Sequence, residues 1–441
     1  MLQLFKAQVI VTANPEHRVI ENGFLAIEKG IIRDAGPWKE RPKQKSKLED
    51  VSFGMICPSL FNLHSHLPMS LFRGIAEDQE LEPWLFNTIL PLEAKFLSPE
   101  FVRAGTELAL CESIRNGVTY FSDMYLFEDS VAKVADQMGV RGTFCIGISG
   151  YESPDYKSWQ AGLEAASRFI KPYQNHPRIQ MGVGPHAVYS CPMEILKAAA
   201  EFANHHKLGG MIHLAETKKE LADCKALYGV TPTAQIEASG LFEIKHLILA
   251  HSIWIEEADF KLLRRKNLTT ALNVRCNAKL ASGFPPVAEF KKEGIRFALG
   301  TDSAASNNNL DIFDEMNFMS KAYRLKTGDL TGLPGPEIFA SATRNAAEAV
   351  GMGSRLGSLE PGKEADFIVI DLRAPHLSPM THAYSHLIHS VRGSDVHSTY
   401  VAGKALMKNR KILVADEEKI LKKAAGIWKK LKSSLGSTHS S

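Results

Sequence analysis

Residues 58–66 read Pro58-Ser59-Leu60-Phe61-Asn62-Leu63-His64-Ser65-His66. A short apolar run ends in polar residues, two of them histidines. On an extended strand residues i and i+2 point to the same side, so His64 and His66 face one way. A buried strand that presents polar groups at its C-terminal end is what a parallel barrel places at its active face.

The pattern recurs down the chain. Comparable runs occupy 118–123, 142–147, 179–184, 210–213, 247–251, 270–274 and 297–302. Between them lie amphipathic stretches such as 99–115 and 193–206, with apolar residues at helical spacing. Eight strand–helix repeats in ~250 residues predict an α/β fold, a (β/α)8 TIM-like barrel over residues 58–354. The connecting segments are too long for hairpins, which disfavours a sandwich for this part.

Outside that span the pattern changes. Residues 1–57 carry short β-branched runs separated by Asn14-Pro15, Asn22-Gly23 and Lys29-Gly30, which read as turns. Residues 39–50 read as an exposed loop. Residues 355–415 return to β character, with a turn at 359–366 and strands at 367–371 and 398–404. The two β segments are expected to form one small discontinuous domain. Residues 416–441 read as a C-terminal helix, from 417 to 432, and a frayed Ser-rich tail.

Composition narrows the class. The chain has 441 residues, 44% hydrophobic and 23% charged, with a formal net charge of +3. That is an ordinary globular balance. No basic stretch interleaved with aromatics suggests nucleic acid, and no apolar run suggests a membrane span. Residues 1–6 lack the features of a signal peptide. Six scattered cysteines without a Cys-x-x-Cys pair read as free thiols in a reducing compartment, so a cytoplasmic enzyme is expected.

The strand ends carry the chemistry. In order they present His64 and His66, then His213 with Glu216, then His251, then Asp302. His-x-His alone is a weak signal. The spacing strengthens it, because the intervals correspond to about four, one and two βα repeat units. His64, His66, His213, His251 and Asp302 are therefore candidates to gather around one metal. Nitrogen and carboxylate donors with an open position for water suit catalytic Zn2+, and Fe2+ or manganese tolerates the same donors. No organic cofactor is called for. Residues 181–186 contain no lysine, so a carbamylated bridge to a second metal is not expected. Glu216 is a proton-shuttle candidate, or else a loop acid. His251 is either a fourth nitrogen ligand or a hydrogen-bond donor to the water, the second being favoured. Asp302 can also accept the water proton.

With these residues in place the chain resembles the amidohydrolase superfamily, in its deaminase and chlorohydrolase branch. The resemblance spans nearly the whole sequence, from residues 58–66 to Leu359-Glu360-Pro361-Gly362-Lys363-Glu364-Ala365-Asp366. It implies a distorted barrel with a small β-sandwich, one divalent metal on His64, His66, His213 and Asp302, and Glu216 as acid/base. Residues 67–74, 84–86, 184–186 and 304–308 are similar to the 5-methylthioadenosine/S-adenosylhomocysteine deaminase subgroup. That similarity implies hydrolytic removal of ammonia from an aminopurine nucleoside. It also implies Trp84 packing on the substrate, Glu93 binding ribose hydroxyls and His186 contacting the purine. Trp84 could instead be core, and Glu93 a solvated helix acid. Rival readings are a guanine-type deaminase or triazine hydrolase, and a non-catalytic relic barrel. The expected partner is a small-molecule substrate, with homo-oligomers possible.

The sequence departs from the subgroup at two places. Relatives that bind a homocysteine carboxylate carry an arginine late in the third barrel strand, where this chain has Thr143-Phe144-Cys145-Ile146-Gly147. Relatives often read His-x-Pro-x-Ser-Asn at the seventh, where this chain has Leu272-Asn273-Val274-Arg275-Cys276-Asn277. Arg275 is either a displaced cation for that carboxylate or a surface charge. An uncharged thioether or plain nucleoside is therefore favoured over S-adenosylhomocysteine.

Overall fold

Eight parallel strands form the central sheet of the computed structural model, which describes residues 1–435. They are β5 (Leu60–Ser65), β6 (Val118–Tyr125), β7 (Arg141–Ile148), β8 (Ile179–Pro185), β9 (Gly209–Leu214), β10 (Leu247–His251), β11 (Leu268–Leu272) and β12 (Phe297–Leu299). They pair in chain order from β5 to β12. The ends are joined by a seam of hydrogen bonds. Asp302 N donates to His64 O at 2.9 Å, and Thr301 N donates to the Asn62 side chain at 3.0 Å. The closure thus links two of the sequence-predicted metal ligands directly.

The strands are buried along nearly their whole length, as parallel strands covered by helices must be. Inside the barrel Phe61, Leu63, Tyr120, Met211 and Ile248 pack together. The helix Arg344–Ala349 supplies Ala346 and Ala347 to the same cluster. Helices at Pro99–Arg115 and Met193–His206 match the amphipathic stretches read from the sequence. Ser98 caps the first by accepting from Phe101 N at 3.2 Å.

Both ends of the chain build a second sheet. Its strands are β1 (Leu2–Val11), β2 (Val19–Glu28), β3 (Ile31–Pro37), β4 (Ser46–Pro58), β13 (Phe367–Asp371), β14 (Val396–Val401), β15 (Lys404–Lys408) and β16 (Lys411–Ile412). The order is β16-β15-β14-β13-β4-β1-β2-β3. β4 joins the halves, running parallel to β1 and antiparallel to β13. Phe5, Phe367 and Tyr400 form its aromatic core, the last two stacked with centroids 4.4 Å apart.

Several boundaries differ from the sequence reading. Residues 46–50, read as loop, open β4, because pairing with β1 outweighs their polar composition. The seventh barrel strand ends at Leu272, and Val274–Lys279 begins a helix. The eighth ends at Leu299, so Asp302 lies beyond its strand. The last helix runs Glu417–Leu435, and the tail read as frayed falls at 436–441, outside the described residues. Among the described residues no helix is long and apolar enough to cross a membrane, and all six cysteines are buried and free.

Candidate active site

Every strand end singled out above delivers its side chain to one place. His64 is fully buried, and Asp302, His213, Glu216 and His251 are nearly so. The rings of His64 and His66 lie 4.8 Å apart, and those of His64 and His213 4.9 Å. His64 Nε2 is 3.4 Å from Asp302 Oδ1, and His66 Nε2 is 3.3 Å from the same oxygen. Two overlapping sets, His64/His66/His213 and His64/His251/Asp302, each bring their ligand atoms within 4.8 Å of one another.

The outer faces of the rings explain why the inner faces converge. His66 Nδ1 donates to Met124 O, and His213 Nδ1 donates to His186 O at 2.8 Å. Both bonds place the proton on Nδ1 and leave Nε2 free to ligate. Burial lowers His64 to about 3 and keeps His213 well below the usual imidazole range, so both rings are neutral, the ligating form. Burial would lower His66 too, but the Asp302 carboxylate raises it to about 9.

Two buried atoms in the cluster, His64 Nε2 and Glu216 Oε1, have no hydrogen-bond partner among the described residues. Orphaned polar atoms that face three imidazoles and a carboxylate fit a bound cation. The residues therefore form a site that fits a divalent metal, with His64, His66 and His213 in one potential ligand group and His64, His251 and Asp302 in the other.

Backbone strain collects here. His251 has φ 72°, Asp302 φ 62° and Ala215 φ 49°, all left-handed and none of them glycine. Each is held by hydrogen bonds across neighbouring strands, such as Ser252 N to Leu214 O at 2.9 Å and Trp254 N to Ala215 O at 2.9 Å.

Several supporting residues escaped the sequence reading. Asp302 Oδ2 accepts from Cys276 Sγ and from Ser306 Oγ, both at 2.8 Å, which leaves Oδ1 to face His64 and His66. Glu220 accepts from Ala215 N at 3.0 Å and Glu216 N at 2.8 Å, fixing the Glu216 segment. Its signal was legible, because Thr217-x-x-Glu220 is a capping pattern and Thr217 accepts from Glu220 N. Asp123 accepts from Ser65 Oγ at 2.6 Å and Leu67 N at 2.8 Å, bracketing His66. Asn277 fixes His251 through Nδ1 at 2.8 Å, with His251 Nε2 left 3.6 Å from Glu216 Oε2.

Above the cluster opens a cavity of about 450 Å³. His66, His213, Glu216, His251 and Asp302 line its floor. Trp84, Glu93 and His186 line it as well. Trp84 and Glu93 are both buried, so Glu93 is not a solvated helix acid. Tyr125 donates to Glu93 at 2.6 Å, and burial pushes the Glu93 carboxyl up to about 7. His186 pairs with Ser190 Oγ at 2.8 Å, and burial lowers it to about 4, leaving a neutral ring toward the cavity. Arg275 lies elsewhere. The helix that starts at Val274 carries it to Asn309 Oδ1, at 2.5 Å, and Asp314, at 3.1 Å.

Residues 55–406 match the Amidohydrolase family. The chain belongs to the amidohydrolase family. This amidohydrolase is 37% identical over 429 residues to a 5-methylthioadenosine/S-adenosylhomocysteine deaminase of Thermodesulfovibrio yellowstonii, covering 96% of this chain and 97% of that one. It is 37% identical over 424 residues to a 5′-deoxyadenosine deaminase of Methanosarcina acetivorans, covering 96% of each. Among solved structures, a zinc-bound adenosine deaminase from Xanthomonas campestris superposes with a TM-score of 0.93 at 30% identity, over 97% of this chain and 98% of that one.

Proposed function

We propose that this amidohydrolase removes ammonia hydrolytically from the adenine ring of a nucleoside, using one zinc ion. One observation carries the reading. The metal-ligand set and an unpartnered buried glutamate share the floor of a cavity that has room for a nucleoside. The relatives named as adenosine-type deaminases support it. The zinc-bound neighbour and the His/Asp donors support zinc over Fe2+. Six buried free thiols support a reducing, cytoplasmic setting.

A zinc ion held by His64, His66, His213 and Asp302 would act as a Lewis acid that makes water nucleophilic near neutral pH. The side chains supply the proton transfers. Burial raises the Glu216 carboxyl above its ordinary range, which favours its protonated form, and Glu216 is the group that delivers a proton to the ring nitrogen beside the amine-bearing carbon. Protonation there makes the ring an electron sink for attack. Asp302 receives the proton of the attacking water. His251, fixed by Asn277, orients that water through Nε2. Asp302 passes that proton to the departing amine, which leaves as ammonia, and the remaining hydroxyl proton returns to Glu216 as the ring carbonyl forms. Trp84 and Glu93 hold the sugar side of the substrate, and neutral His186 contacts the purine.

The test is ammonia release from adenosine, 5′-methylthioadenosine, guanine and a chlorotriazine, with metal analysis of the same preparation. Turnover confined to the adenine nucleosides, with about one zinc per chain, is the expected result. Turnover of guanine or the triazine alone would replace this reading, and a metal-free inert protein would make it a relic.

A further inference from the structure

Behind the strand end that carries His66 stand two acids that the chemistry above does not use. Asp123, near the C-terminal end of β6, is fully buried, and Glu128, which opens the helix Glu128–Gln137, is 2% exposed. Their side chains are hydrogen-bond neighbours. Yet Asp123 Oδ2 and both carboxyl oxygens of Glu128 find no donor among the described residues. Two charged carboxylates repel each other in a contact without water, and a single proton between them turns orphaned acceptors into a donor and its acceptor.

The surroundings decide which acid keeps that proton. Asp123 Oδ1 accepts from Ser65 Oγ at 2.6 Å and from Leu67 N at 2.8 Å, bonds that favour the charged form. Glu128 has no such donors on its oxygens. Burial, with the Asp123 charge beside it, raises the Glu128 carboxyl well above the ordinary range, whereas Asp123 rises only to about 6. The first turn of a helix favours a charged acid, but that pull is weak beside a second carboxylate in the same dry contact.

The pair leads to His66. Ser65 and Leu67 flank it, and its own Nδ1 donates to Met124 O, one residue along β6 from Asp123. Residues 123 and 124 thus hold both the backbone and the ring of His66. The turn that presents Glu128 is held as well. Phe127 has φ 55°, and its N–H donates to Asp155 Oδ2 at 3.0 Å.

We propose that Glu128 is a positioning residue for the metal site. As a neutral acid it donates to Asp123, Asp123 holds Ser65 and Leu67, and these keep His66 aimed at the metal. The proposal rests on the reading of His66 as a zinc ligand.

Zinc affinity of the full chain, measured by competition with a chelator, tests it without any substrate. Glu128→Met removes the donor and should weaken zinc binding at least tenfold, as loss of a group that orients a ligand does. Glu128→Gln keeps a donor and should stay within threefold of the unmodified protein. Ser65→Ala cuts the same chain of bonds nearer His66 and should weaken binding threefold or more. In the infrared difference spectrum at neutral pH, Glu128→Gln should remove one carbonyl stretch of a protonated carboxylic acid. Unchanged affinity in Glu128→Met or in Ser65→Ala would overturn the proposal. Equal losses in the Gln and Met variants would overturn it too, and so would an infrared spectrum that loses no such band. The Gln and Ser65 measurements decide the matter if Glu128→Met does not fold. An unmodified protein that binds no zinc would overturn the zinc reading itself, whereas failure in the variants alone leaves that reading standing.

Discussion

The barrel has two buried polar clusters at opposite ends of its strands, and they are built on opposite rules. At the N-terminal end of β7, Arg141 is 2% exposed. Its guanidinium donates to Asp366 at 2.7 and 3.0 Å, to Glu364 at 2.6 Å and to Pro177 O at 3.2 Å. Asp366 also accepts from Ala402 N at 2.8 Å. This cluster ties the barrel to the terminal sheet, and each polar atom of Arg141 has a partner. At the C-terminal end, His64 Nε2 and Glu216 Oε1 have none. A closed network stores stability, whereas an open one keeps donors and acceptors ready for something that is not protein. Partnering, more than burial, separates the structural end from the reactive one.

Breaking the reactive end should cost rate rather than fold. Asp302→Asn should lower kcat by about three orders of magnitude or more with little change in thermal midpoint, since the loss falls on the transition state. Near-normal turnover in that variant would remove Asp302 from the chemistry. Glu216→Gln should lower kcat by ~10²–10⁴ while metal content, measured by elemental analysis, stays that of the unmodified protein. Metal lost in step with rate would make Glu216 a ligand.

Breaking the structural end should do the reverse. Arg141→Met leaves the Asp366 and Glu364 carboxylates without their buried partner, and removing one member of such a pair costs about 3–5 kcal/mol. Denaturant unfolding should show that loss, while kcat per folded molecule holds.

Two variants sharpen the comparison at smaller scale. Cys276→Ala deletes one of the two donors that hold Asp302 Oδ2. A fall in kcat of about tenfold is expected, at unchanged KM, with recovery in Cys276→Ser, which keeps a donor. An alanine variant with normal kcat would show that Ser306 suffices. Glu315 supports the same loop but is partnered, accepting from Asn307 at 2.7 Å and from Arg275 N at 3.2 Å. Burial raises its carboxyl from 4.5 to about 8. Its folded pKa lies above its unfolded one, so its contribution to stability is complete below pH ~4.5 and is lost as pH rises through about 8. Glu315→Gln should flatten that decline in unfolding free energy, and an unchanged pH slope would place the titration elsewhere.

Much of the reactive end was legible in the chain. His64, His66, His213, His251 and Asp302 stand at or just past apolar runs, and parallel strands of one barrel must bring such ends to one face. Other features were not. Cys276, Asn277, Ser306 and Asp123 fall inside stretches that the sequence reading quotes, yet their supporting roles depend on partners that only the folded chain brings to them. Residues 46–50 read as loop because nothing local announces β1 as their neighbour. Arg275 could be read as facing the substrate only while β11 was taken to run on to Val274. Ending that strand at Leu272 turns Arg275 onto a helix and away from the cavity.

Sequence by itself determined the barrel, its eight strands and the residue types that meet at their ends, because periodicity and strand-end chemistry are local properties. Only the tertiary structure decided which buried groups are satisfied and which are left open. Hydrogen-bond partnership and electrostatic surroundings depend on distances between segments far apart in the chain, and no local pattern encodes those distances.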